Sequence, residues 1–152
     1  MGLDMYLYKK NYIRQGEWYR PEVVNEVTIK TGGEVDKHIK PERVRYVIEE
    51  VGYWRKANQI HNWFVTNVQN GIDECQSSYV SRERLEELLG LCKQVRDDHS
   101  LAEQLLPSVS GFFFGGTEYD EWYFEDINKT IEIIEDCLSD KNADDFEYRA
   151  SW

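Results

Sequence analysis

YWRKANQIHNWF, residues 53–64, packs four aromatic rings, a histidine, two asparagines and two basic residues into one short run. Its reading decides the fold. Placed on a helical wheel at about 100° per residue, the surrounding segment separates into faces. Val47, Val51, Trp54, Val65 and Val68 share one arc, and Tyr46, Tyr53, Ala57, Ile60 and Phe64 fill the next. Together they make a broad apolar face. Pro41 suits a first helical position, Glu42 suits the positive end of the dipole, and Asn70-Gly71 is a stop. The pattern therefore predicts one long helix over residues 41–69, roughly 40 Å at 1.5 Å per residue, with Gly52 as a kink or a close-packing point. Lys56 and Trp63 point away from the apolar face, and Arg55 sits on its flank. Asn58 and His61 fall inside it. A polar group on a buried face needs hydrogen-bond partners or costs roughly 1–3 kcal/mol. Asn58 and His61 are thus either a satisfied core pair or the lining of a pocket.

Outward from this segment, residues 3–8 alternate, with Leu3, Met5 and Leu7 on one face and Asp4, Tyr6 and Tyr8 on the other. That period of two predicts a strand. Residues 23–29 read as a second strand, and Thr31-Gly32-Gly33 as a turn. Ser81 is a good N-cap for a helix with a core stripe of Leu85, Leu88, Leu89, Cys92 and Val95. The charges on its other side, Arg82, Glu83, Glu86 and Glu87, read as a solvated face. A short helical turn over 101–106 stops at Pro107. GFFFGG, residues 111–116, reads as a short interior strand or a wedged linker, with Phe112 and Phe114 on one face and Phe113 on the other. It lacks the lysine of a phosphate loop. Thr117 or Asp120 caps a third helix running to about Ser139, with Tyr123, Ile127, Thr130, Ile131, Ile134 and Leu138 inward. Residues 146–152 alternate again and predict a final strand that shares a sheet with the first. The expected fold is one α+β domain over residues 1–152: a small, mostly antiparallel sheet containing the N- and C-terminal strands, packed against three main helices.

The bulk numbers exclude several classes. At 152 residues, 41% hydrophobic and 14% aromatic, the chain can bury a core. A net charge of −11 argues against direct binding of a nucleic-acid backbone, which needs clustered Lys and Arg. It suits solubility or a basic protein partner. Cys75, Cys92 and Cys137 form no CxxC pair and read as thiols in a reducing compartment. No leader segment and no run of about 18 apolar residues is evident, so a cytoplasmic protein is expected, monomeric or homodimeric, with no membrane association, metal or cofactor.

Taken together, Gly2–Leu7 (GLDMYL), the YWRKANQIHNWF run, the GFFFG segment, the acidic stretch at Glu118–Glu121 and the aromatic residues at 148–152 resemble a family of short, uncharacterised bacteriophage and bacterial proteins. The resemblance covers nearly the whole chain. It implies an accessory role in a bacterial host cell, such as countering a defence system, and assigns no activity. From the residues themselves, the first expectation is a binding protein with a pocket beside the long helix for a small nucleotide-like or anionic ligand. Asn58, His61 and Asp120 would hydrogen-bond, Trp54, Tyr119 and Trp122 would stack, and Arg55 would reach an anion. An acidic inhibitor docking Trp18, Tyr19 and Trp63 on a host protein is the second. The third is a small hydrolase in which His61 works with Asp120 or Glu121. No HExxH or GxSxG pattern supports catalysis, and no catalytic residue is assigned.

Overall fold

The computed structural model describes residues 2–152, and its α+β class is the expected one. A four-stranded sheet has the order β4-β1-β6-β5. Its strands are β1 (Asp4–Tyr12), β4 (Tyr46–Arg55), β5 (Ser78–Val80) and β6 (Phe146–Ser151). A two-stranded hairpin joins β2 (Lys30–Thr31) to β3 (Glu34–Val35). The helices are α1 (Asn58–Asn67), α2 (Arg82–Asp97), the single turn α3 (Ala102–Leu105) and α4 (Glu121–Ser139).

The chain forms two compact units. The smaller, residues 10–49, holds the β2–β3 hairpin and is tied internally by Asn25 N–H on Arg14 O and Ile13 N–H on Arg45 O (both 2.8 Å). Tyr12 meets Tyr46 edge-on, and the Lys10 ammonium lies over the Tyr46 ring. The expected strand at 23–29 is absent here. Pro21–Val23 is a 3-10 turn, and Val23, Val24 and Ile29 stay exposed. Short apolar runs form strands when an apolar surface covers them, and this one has none.

The larger unit comprises residues 2–9 and 50–152. β1 pairs antiparallel with β6, Met5 opposite Ala150 and Leu7 opposite Tyr148, and β6 pairs antiparallel with β5. Leu3, Met5, Leu7, Phe146 and Tyr148 are wholly buried, each aliphatic side chain contributing about 1.5–3 kcal/mol. α2 and α4 pack against each other. Ser81 Oγ accepts from Arg84 N–H at the start of α2, and Asp120 accepts from Tyr123 N–H at the start of α4. Arg82 does not belong to a solvated face as expected. Its guanidinium donates to the carbonyls of Leu138, Asp140 and Ala143, closing the C-terminus of α4, where four carbonyls lack helical partners.

The long helix is the main correction. Residues 46–55 form β4, and only residues 58–67 are helical. Val47, Val51 and Trp54 fit a helical period, but the run YVIEEVGYWR is dense in β-branched and aromatic residues, which favour a pleated surface. Only Gly52 and Trp54 turn inward with the period of a strand. A Cβ on Gly52 would lie 2.7 Å from Ile133 Cγ2, so glycine here is what lets α4 close on the sheet. Tyr46 and Val47, expected inward, are exposed, whereas Trp63, expected outward, is 5% exposed.

Lys56 makes the break between β4 and α1 with φ of 59°, a left-handed value that costs a residue with a Cβ about 1–2 kcal/mol. Lys56→Gly is therefore expected to stabilise the protein by about 1 kcal/mol, read as a higher urea midpoint. In a continuous helix the same change would destabilise by about the same amount, so the sign separates the two structures.

Candidate functional site

Three segments of the larger unit enclose a cleft of about 320 Å³: the β4–α1 junction, the loop before α4, and the first turns of α4. Asn58 builds one wall. Its Nδ2 donates to Phe114 O (3.1 Å) and Gly116 O (2.8 Å), and its Oδ1 accepts from Val109 N–H (2.9 Å). Leu3 N–H donates to Phe113 O (3.0 Å), and Tyr119 OH accepts from Ser108 N–H (3.1 Å). GFFFGG is accordingly a turn anchored at several points, not a strand. Phe112 is 96% exposed and Phe114 packs on the core. Gly115, with φ of 86°, brings this loop against Lys56; a Cβ there would sit 3.1 Å from Lys56 Cβ.

The cleft lining carries both signs of charge. Arg55 and Lys56 line it, and neither side chain has a carboxylate partner among the described residues. Four carboxylates, Glu118, Asp120, Glu125 and Asp126, line it as well, with Trp122 at 73% exposure. Ser108, on the loop wall, holds a buried hydroxyl that makes no hydrogen bond within the protein. Buried hydroxyls nearly always have partners.

Asp126 is the perturbed group. Burial pushes its carboxyl up to about 6; Lys129 and a hydrogen bond from Gln59 oppose the rise, while Glu125 and Asp120 add to it. A carboxyl raised above its unfolded value binds more protons in the folded state between about pH 4 and pH 6. Its penalty is therefore absent below about pH 4, grows through that window, and is complete above about pH 6. Asp126→Asn is expected to raise Tm at pH 7–8 and to leave it unchanged below pH 4, checked by thermal melts across pH.

The expected site residues divide. Arg55, Asn58, Asp120 and Trp122 come together at the cleft, Asn58 as the strut of its wall. Tyr119 backs the loop through its hydroxyl. Trp54 turns into the core, wholly buried, with Nε1 donating to Thr130 Oγ1 (2.9 Å). His61 is also a core residue, 1% exposed. Its Nδ1 meets the Tyr148 hydroxyl (2.7 Å) and its Nε2 meets Asp73 (2.9 Å), while Trp152 Nε1 donates to the second Asp73 oxygen (3.0 Å). This chain ties α1 to β6 and to the loop before β5. Burial and the Asp73 charge hold the Tyr148 hydroxyl well above its ordinary range. His61 meets neither Asp120 nor Glu121, so the pairing expected for hydrolysis is not formed.

Lys56, Gln59, Ser108, Glu125 and Asp126 also line the cleft and are not among the expected site residues. A helical wheel turns Lys56 away because it continues a helical period through a strand end. Asp126 carried a usable signal: it lies four residues after Trp122, hence on the same face of α4. Burial also pushes the Cys92 thiol up to about 12 and the Cys137 thiol up to about 11, so neither offers a thiolate near neutral pH. Among the described residues no helix is long and apolar enough to cross a membrane. Compared with known protein families, curated proteins and solved structures, the chain matches none of them.

Proposed function

We propose that this is a binding protein that holds a small, flat, nitrogen-rich ligand of the nucleobase or nucleotide type in the cleft beside α1 and α4. The observation that carries the reading is the mixed lining of the cleft. Arg55 and Lys56, without carboxylate partners among the described residues, suit a single anionic group, and the four carboxylates suit hydrogen-bond donors, with the exposed Trp122 indole on the same lining. Four carboxylates against two cations disfavour a purely anionic ligand, whose charge would be repelled along most of the cleft. Aromatic stacking of one base is worth about 1–3 kcal/mol, so Trp122 supplies affinity and the charged groups supply orientation. Sequestering such a ligand is one way to fill the accessory role, such as countering a defence system, that the resemblance to short bacteriophage and bacterial proteins implies.

Isothermal titration of the full chain with nucleosides and their monophosphates tests this. Saturable binding is expected, weakened about tenfold or more in Trp122→Ala. Folded protein that gives no heat with any member of the panel would sink the reading. Docking on a basic host protein is the second reading, favoured by Trp18 at 94% and Phe112 at 96% exposure. It requires a complex that dissociates as salt is raised.

A further inference from the structure

We propose that the cleft selects a guanine-type ring, with the Asp126 carboxylate reading its edge, Trp122 stacking on its face, and Arg55 with Lys56 holding one anionic substituent. This rests on the nucleobase reading above and names its ligand class.

The reasoning starts from which polar atoms at the cleft are still available. The amide groups that could donate are committed: Asn58 Nδ2 to Phe114 O and Gly116 O, Gln59 Nε2 to Tyr123 O (3.3 Å) and to Asp126 itself. What remains on the α4 side are carboxylate oxygens, which only accept when ionised. A ring docking there must present donors. Among the common bases, guanine alone offers two donors side by side, N1–H and the exocyclic N2–H, at the spacing of the two oxygens of one carboxylate. Adenine and cytosine each place a ring-nitrogen lone pair next to their amino group, and uracil flanks its N3–H with two carbonyls. Each of these would set a lone pair against the carboxylate.

Asp126 is the carboxylate best placed for this. It is the one acidic residue of the wall that is not exposed, so its bonds to a ligand are least diluted by water. Asp120 is exposed and caps α4 through the Tyr123 N–H, so water dilutes any bond it makes to a ligand. Trp122 precedes Asp126 by one helical turn on the same face of α4, which lets an indole cover a ring whose edge meets the carboxylate. Gln59 donates to Asp126 from α1 and orients it. At the β4–α1 junction Lys56 holds a left-handed conformation with Gly115 packed closely against it, and Arg55 precedes it on the cleft lining. The buried Ser108 hydroxyl on the loop wall is a further group without an internal partner.

The test is titration calorimetry with guanosine, adenosine, cytidine, uridine and GMP on the wild-type chain and on Asp126→Asn, Arg55→Ala and Lys56→Ala variants. Guanosine is expected to bind at least about 10- to 100-fold tighter than adenosine, the discrimination of one bidentate pair. In Asp126→Asn that ratio is expected to fall towards one, because the amide presents one donor and one acceptor. GMP is expected to bind tighter than guanosine, with the difference lost in the Arg55 and Lys56 variants. Equal binding of adenosine and guanosine would overturn guanine selection while leaving the nucleobase reading intact. A guanosine preference that persists in Asp126→Asn would overturn the assignment of Asp126. No binding of any base would overturn both.

Discussion

Trp54→Ala is expected to lower the unfolding free energy by about 3–5 kcal/mol, the usual range for deleting a large aromatic from a core. Trp54 is wholly buried at the inner end of β4, tilted against Phe64 at 6.3 Å between ring centres. Phe64 in turn stacks on Tyr148 at 3.9 Å, so the ring joins β4 to α1 and β6. The substitution also leaves Thr130 Oγ1 without its indole donor. Trp54→Phe separates the two contributions. It keeps most of the volume and removes the hydrogen bond, and is expected to cost about 1–2 kcal/mol. Since domains of this kind are stable by about 5–15 kcal/mol, the alanine variant should show a large fall in urea midpoint. A change under 1 kcal/mol would mean that Trp54 is not in the core.

Asn58→Ala is the second large effect, about 2–4 kcal/mol. One side chain satisfies two carbonyls and one N–H of the loop before α4, and buried polar groups left unpaired cost about 1–3 kcal/mol each, less where water reaches them. Alanine is a good helix former, so the loss comes from the loop and not from α1. Asn58→Asp tests this. It retains the acceptor for Val109 N–H but sets a carboxylate against two carbonyl oxygens, and is expected to be at least as damaging. Amide exchange separates this from a general loss of stability: the Val109 N–H should become fast in Asn58→Ala while the amides of β1 and β6 stay slow. Unchanged exchange at Val109 would show that Asn58 does not hold the loop.

Several elements were legible because local and tertiary signals agree there. Leu3, Met5 and Leu7 alternate and are buried; Ser81 and Asp120 look like caps and act as caps; the stripe Leu85, Leu88, Cys92 and Val95 faces inward. β4 was not legible. Its first half is exposed on both faces and carries no period of two, while Val47, Val51 and Trp54 happen to be spaced as on a helix. That one misreading propagated to the site. It turned Lys56 away from the cleft, turned Trp63 out of the core, and put His61 and Asn58 on one surface when they serve different ones. Asn58 faces the loop, and His61 faces Tyr148 and Asp73. α4 is a helix where its period predicts one, and Asp120 and Trp122 both lie on the cleft lining.

The pairing of β1 with β6 also has a consequence for folding. The two central strands of the sheet come from opposite ends of the described chain, so their contacts close a loop that contains nearly every other element. Closing it costs chain entropy before any contact repays it, which slows folding relative to helical proteins of the same length. α2 and α4 can form early from local signals, but the surface they share with Leu7 and Tyr148 exists only once β6 arrives. The sheet is therefore expected to assemble last, and its centre is the part whose amides should exchange only when the larger unit opens as a whole.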